Sequence, residues 1–155
     1  MSKRKNNKKK KVVVAVSGGF DPIHLGHIRM FTHARKLGDK LIVIVNSDGW
    51  LRRKKGSYFM SANERAEIIR GFSCVDRVYI HNSVKPHVSE ALEMLRPNIF
   101  ANGGDRKSEA DIPEAEVCKK YDIEMKFNIG GKKIRSSSDM LVDYCSAILR
   151  KEDGS

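Results

Sequence analysis

The feature that most constrains the fold of this 155-residue chain is an alternation of short, β-branched apolar runs with amphipathic stretches of helical period. Val12–Val16 and Leu41–Val45 are apolar at successive positions, as in strands covered on both faces. Between them, residues 24–37 carry Leu25, Ile28, Phe31 and Ala34 near helical spacing, and Gly38 supplies a stop. Ser61-Ala62-Asn63-Glu64 is a capping box that starts a helix running to about Phe72. Val78–Ile80 reads as a short strand. Val88, Ala91, Leu92 and Leu95 form the buried stripe of a helix that Pro97 ends. Asn98–Asn102 and Ile123–Ile129 read as strands four and five, with a helix over Glu114–Tyr121 between them. A last helix follows Ser136-Ser137-Ser138, with Leu141, Tyr144, Cys145 and Ile148 as its expected buried stripe. Strand after helix after strand, without hairpin signals, predicts an α/β fold. It is expected to be a Rossmann-like, doubly wound, five-stranded parallel sheet forming a single domain over residues 12–150.

In such sheets the ligand crevice lies beyond the carboxyl ends of the strands, where strand order reverses. Three unusual segments fall at those ends: Gly18–His27, Asn46–Gly56 and the run from Asn102 to Arg106. Ser136–Ser138 is a fourth, at a helix start. The first is the most informative. The strand ending at Val16 breaks into Ser17-Gly18-Gly19-Phe20-Asp21-Pro22 and reopens as a helix holding His24 and His27. Glycines let the backbone approach a phosphate, although an ordinary strand-to-helix turn uses them too. Two imidazoles three residues apart share a helix face near unpaired N–H groups and the positive dipole end, which suits a polyphosphate. Neither GxGxxG nor the GxxxxGK[ST] phosphate loop occurs. Arg52-Arg53-Lys54-Lys55-Gly56 reads as a basic loop after the second strand.

The formal charge of +11 is unevenly placed. The segment Lys3 to Lys11 holds seven basic residues and no acid, so the remainder carries only +4. A basic tail over residues 1–11, disordered and solvated, is expected. No aromatic residue interleaves it, so nucleic-acid contact is not expected beyond the tail itself. Cys74, Cys118 and Cys145 stand far apart with no CxxC pair, which points to reduced thiols and a cytoplasmic protein. No apolar run approaches membrane-spanning length.

At the residues Gly18, Phe20, Asp21, His24, Gly26 and His27 the chain resembles the cytidylyltransferase-like nucleotidyltransferases, whose signature is G-x-F-D-x-x-H-x-G-H. The likeness continues through Ala34–Asp39, Leu41–Asp48, Glu64-Arg65 and Gly103-Gly104-Asp105 to Ser136–Ser138. Within that family, ARKLGDKLIVIVNSD and NGGD look most similar to the adenylyltransferase domain used in bacterial ADP-heptose synthesis. The resemblance implies in-line attack by a phosphorylated acceptor on the α-phosphorus of a nucleoside triphosphate, with pyrophosphate leaving and no covalent enzyme intermediate. It implies catalytic roles for His24, His27 and Lys55. It places Gly18, Gly19, Phe20, Asp21, Arg65, Asn102, Gly103, Gly104, Asp105, Ser136, Ser137 and Ser138 on the nucleotide. Asn46, Asp48 and Lys54 would meet the acceptor. Mg²⁺ would be held mainly by phosphate oxygens, with no carboxylate cage. The implied partners are ATP or CTP and a small phosphorylated metabolite such as a sugar or polyol phosphate, and the implied assembly is a homodimer.

Relatives often have Ser-Thr-Thr where Ser136-Ser137-Ser138 stands, and a lysine where Asn102 precedes Gly103-Gly104. These differences leave the acceptor and the choice of ATP or CTP open. Two other readings compete. A class I aminoacyl-tRNA synthetase shares a similar histidine turn, but no KMSKS-like lysine loop is present. A non-catalytic nucleotide-binding protein could use the same fold. His33, His81 and His87 belong to no pattern, and Trp50 suits stacking on a base or sugar as well as packing.

Overall fold

A computed structural model describes residues 8–104 and 112–154. Five strands, β1 (Val13–Gly18), β2 (Lys40–Asn46), β3 (Arg77–His81), β4 (Ile99–Ala101) and β5 (Glu124–Lys126), form one sheet. Their order is β3-β2-β1-β4-β5 and every pairing is parallel. The expected α/β, five-stranded parallel sheet is therefore the fold. β1 is central because its residues Val14, Ala15 and Val16 are wholly buried and can pair on both edges. Its register sets Val14 opposite Leu41 on one side and Ile99 on the other.

The helices cover both faces. α1 (Leu25–Arg35) and α3 (Ala62–Arg70) bring Phe31, Ala34, Ala66 and Ile69 onto Val14, Val16, Leu41, Val43 and Val45. α4 (Ser89–Leu95) and α5 (Ala115–Lys120) cover Ala15, Ile44 and Phe100 with Ala91, Leu92 and Cys118. Successive strand residues thus feed opposite cores, which is why these runs lack a polar face. Each fully buried Val, Leu or Ile contributes about 1.5–3 kcal/mol. The chain winds outward from β1 to β3, then returns across β1 to β4, so strand order reverses between β1 and β4.

Two expectations are corrected. Arg52–Lys55 belong not to a loop but to the helix α2 (Asp48–Lys55). The Ser47 hydroxyl caps it by accepting the Trp50 N–H at 3.1 Å, and its four basic residues lie in the last turn, where the dipole favours them. Only Leu51 is buried, so no apolar period announced it. In α6 (Ser137–Glu152) the stripe Leu141, Tyr144, Cys145 and Ile148 is not buried: no residue of this helix is, and Tyr144 is 67% exposed. The helix follows the edge strand β5 and is tied to the turn after β1 by the Ser137 hydroxyl donating to Pro22 O, and none of its residues joins either buried core. Leu25 and Ile28 of α1 are likewise exposed, leaving Phe31 and Ala34 as its buried face. Of the expected basic tail, residues 1–7 lie outside the described residues, and Lys8–Lys11 are exposed and neither helix nor strand. Among the described residues, no helix is long and apolar enough to cross a membrane. The three cysteines are free.

Candidate active site

The turn after β1 is built on Phe20, whose φ of +53° lies in the left-handed region. Its ring folds back beneath the turn, edge-on to His27 (5.0 Å) and Phe31 (5.2 Å). Only glycine fits at position 18 for this reason: a Cβ there would meet the Phe20 ring at 2.9 Å. The buried Asp21 carboxylate holds the next segment, accepting the Phe59 and Met60 N–H groups at 2.6 and 2.7 Å.

α1 opens with its two histidines acting as its cap. His24 precedes the first turn, and its Nδ1 accepts the Gly26 N–H at 3.1 Å. His27 Nδ1 accepts the His24 N–H, also at 3.1 Å. Both Nδ1 atoms are therefore acceptors, which puts the proton of each neutral ring on Nε2. The rings stack with centroids 3.8 Å apart. Burial first, then the neighbouring charges of His24, Lys55 and Lys133, pushes the His27 pKa down to about 3. Burial, Lys133 and Arg135 also lower that of His24. At neutral pH the pair offers two N–H donors without carrying charge.

These rings line a cavity of about 430 Å³ beyond the carboxyl ends of the strands, at the reversal between β1 and β4. One wall comes from the loops after β4 and β5. A Cβ on Gly104 would lie 2.7 Å from the Gly131 carbonyl oxygen, so glycine is what lets these two loops touch. The buried Asn102 binds them further, its Nδ2 donating to Lys126 O at 3.3 Å while its own carbonyl accepts the Ile129 N–H. At the start of α6, the Ser136 hydroxyl accepts the Asp139 N–H and the Ser137 hydroxyl donates to Pro22 O at 2.8 Å. Lys132, Lys133 and Arg135 make this wall basic. The opposite wall carries Asn46, Trp50, Lys54 and Lys55, with Pro86, His87 and Val88 from the loop after β3. The Lys54 ammonium lies 4.6 Å from the centre of the Trp50 ring, whose Nε1 donates to Pro86 O at 2.9 Å.

Of the residues singled out in the sequence, Gly18, Gly19, Phe20, His24, His27, Asn46, Lys54, Lys55, Asn102, Gly103, Gly104, Ser136, Ser137 and Ser138 border this one cavity. Three do not. Asp21 is occupied with Phe59 and Met60. Asp48 accepts from the Ala62 N–H and from Arg65, both at 2.8 Å. Arg65, expected on the triphosphate, has no exposed surface. Its guanidinium donates to Met60 O, Gly19 O, Asn46 O and Asp48 Oδ1 at 2.7–2.9 Å, which ties the turns after β1 and β2 to α3. All three shape the cavity from behind. Asp105 lies outside the described residues. Lining residues to which the sequence assigned no role include Glu114, at the start of α5, His87, and the basic Lys132, Lys133 and Arg135. A lone glutamate beside Pro113 carried no signal of its own.

The chain belongs to the cytidylyltransferase-like family of nucleotidyltransferases, whose family model matches residues 15–144. Among its relatives is the bifunctional protein HldE of Streptomyces coelicolor, 40% identical over 111 residues, covering 70% of this chain and 23% of that protein. HldE of Pelobacter propionicus is 35% identical over 138 residues, covering 86% and 28% respectively. The chain thus spans about a quarter of the length of these relatives. Among solved structures, a lipopolysaccharide core biosynthesis protein from Thermoplasma volcanium superposes with a TM-score of 0.65 at 28% identity, over 76% of this chain and 94% of that one. A pantoate-β-alanine ligase from Francisella tularensis shares the fold at a TM-score of 0.56 and 15% identity, over 86% of this chain and 66% of that one.

Proposed function

We propose that this chain transfers AMP or CMP from ATP or CTP to a small phosphorylated acceptor, a sugar or polyol phosphate, and releases pyrophosphate. The observation that carries the reading is the paired Nε2–H donors of His24 and His27, set by their own capping bonds at the mouth of a basic cavity. An acceptor phosphate oxygen attacks the α-phosphorus and the α–β bridging oxygen departs on pyrophosphate. Nothing in this step requires a covalent enzyme intermediate, so positioning and charge stabilisation supply the catalysis. His24 and His27 donate to phosphate oxygens as charge builds there. Being neutral before the nucleotide arrives, they need not part with bound anions to do so.

Lys55 neutralises phosphate charge, and Lys54 and Asn46 face the acceptor. Gly18, Gly19 and Phe20 bring backbone against the phosphates. Ser136–Ser138, at the start of a sixteen-residue helix, present hydroxyls and N–H groups to the β- and γ-phosphates. Asn102–Gly104 lie along the base and ribose. The reading has Mg²⁺ arrive on the nucleotide; among the described residues no group of three His, Cys, Asp or Glu that could hold a metal occurs. Mg²⁺ carried by the triphosphate oxygens would supply neutralisation of the departing pyrophosphate. A sugar phosphate as acceptor is supported by the name of the Thermoplasma volcanium neighbour, a lipopolysaccharide core biosynthesis protein. The reading includes a homodimer, which sedimentation of the purified chain examines.

The test is pyrophosphate release from ATP and CTP against a panel of sugar and polyol phosphates. Turnover with one pair is expected, and His27→Asn should lower it about 10²–10³-fold, the usual loss for one transition-state donor. Nucleotide binding without turnover on any acceptor would instead favour a non-catalytic binder.

A further inference from the structure

Phe20 carries a backbone strain that the turn alone does not explain. Its φ of +53° is one that bulky side chains rarely adopt. Among the described residues Arg96, Asp122 and Asn128 share a left-handed φ, but all three are exposed, whereas Phe20 is buried. Both neighbours of Phe20 are clamped. Arg65 donates to Gly19 O at 2.7 Å, and the Asp21 carboxylate accepts the Phe59 and Met60 N–H groups. Such bonds keep a backbone in a conformation it would otherwise leave, and strain held in this way gathers at functional sites. The ring imposes a second demand, since a Cβ on residue 18 would collide with it.

What this arrangement secures is the His27 imidazole. The Phe20 and His27 rings stand at 89° with centroids 5.0 Å apart. His24 stacks on His27 at 3.8 Å, and the His24 N–H occupies Nδ1. Together these contacts set the plane of the imidazole and leave its Nε2–H for the cavity. We infer that Phe20 is a positioning residue for nucleotidyl transfer, its side chain holding the His27 ring in the orientation and tautomer that donate to phosphate. This rests on the donor role proposed for His27 and adds the residue that keeps the donor ready. The charged or titratable groups around His27 are His24 on the same helix, Lys55 of α2 and Lys133 of the loop before α6. Phe20 adds no charge to them, so it acts by shape and by excluding water.

NMR of the nucleotide-free chain, read at the His27 ring nitrogens, tests this. In the wild type Nε2 should carry the proton, and the ring should not titrate between about pH 7.5 and 5. Phe20→Leu keeps an apolar filler but opens one flank of the imidazole. His27 should then exchange tautomers and titrate above about pH 5, and kcat should fall about tenfold while KM for ATP or CTP moves less than about twofold. Gly18→Ala presses on the same Phe20 ring from its other side, at a position whose backbone is not left-handed. It should move the His27 signals in the same way, and it decides alone if Phe20→Leu fails to fold. Phe31→Leu is the comparison, because Phe31 packs on Phe20 at 5.2 Å within the same core. It should lower the urea midpoint and leave the His27 signals in place. The inference is overturned if the His27 signals of Phe20→Leu match the wild type, if Phe31→Leu moves them as far, or if they move and kcat does not. Shifted ring signals without pyrophosphate release from the wild type would refute the transfer reading and leave the hold of Phe20 on His27 standing.

Discussion

His27, the phosphate donor of the proposed transfer, also carries a cost to the fold. Its ring is wedged between Phe20 and the stacked His24, and its Nδ1 completes the cap of α1. Burial there holds its pKa at about 3 against an ordinary value of 6.5. Between those two pH values the unfolded chain binds a proton that the folded chain refuses. Stability from this group is therefore full above pH 6.5 and is lost as pH falls toward 3. The urea midpoint of the nucleotide-free protein should drop between pH 6.5 and pH 4.5, and the drop should be shallower in His27→Asn, whose amide oxygen can still accept the His24 N–H. Parallel midpoint curves for the two proteins would show that His27 titrates normally. Acid-sensitive carboxylates contribute equally to both curves, so the difference isolates the imidazole.

At the scale of elements, Arg65 shows how three segments are locked into one cavity wall. It sits on α3, but its bonds reach the turn after β1, the end of β2 and the first turn of α2. Arg65→Met fills similar volume yet removes the guanidinium donors of the Gly19 and Asn46 carbonyls and leaves the Asp48 carboxylate the Ala62 N–H but no cation. Breaking such a buried pair from one side costs about 3–5 kcal/mol, which urea denaturation at pH 7 would read. A loss under about 1 kcal/mol would mean that water replaces the guanidinium at this site. This residue also marks where the sequence stops being legible. The strands were readable because apolar runs covered on both faces leave a one-dimensional trace, and the Ser61–Glu64 capping box because it is local. Helix α2 was not, since its cap and its charged last turn stabilise it without an apolar stripe. Arg65, Asp21 and Asp48 have the residue types of a phosphate site, and only three-dimensional partners reveal that they brace backbone instead. His24, His27 and the serines could be placed together because strand ends in a parallel sheet converge, whereas Glu114 comes to the cavity through its bond to the Val88 N–H, between two helix starts far apart in sequence.

For the whole molecule, the question is which part of the +11 charge the nucleotide feels. The basic N-terminal segment enters the fold at the amino end of β1, while the cavity opens beyond its carboxyl end. Six residues of strand separate the two by about 20 Å, roughly two Debye lengths at physiological ionic strength. Screened over that distance, the charges of Lys8–Lys11 add little to the potential in the cavity. The cationic side chains lining the cavity act across contact distances and are screened far less. Deleting residues 1–11 should therefore leave the affinity for ATP or CTP within about twofold at 0.15 M salt, whereas Lys55→Gln should lower it severalfold. Titration of both variants with the same nucleotide makes the comparison. RNA binding, measured by filter retention across a salt series, separates the tail further: any salt-dependent binding should vanish with residues 1–11 and survive Lys55→Gln. A tail deletion that cost as much nucleotide affinity as Lys55→Gln would mean that the segment folds over the cavity and belongs to the site.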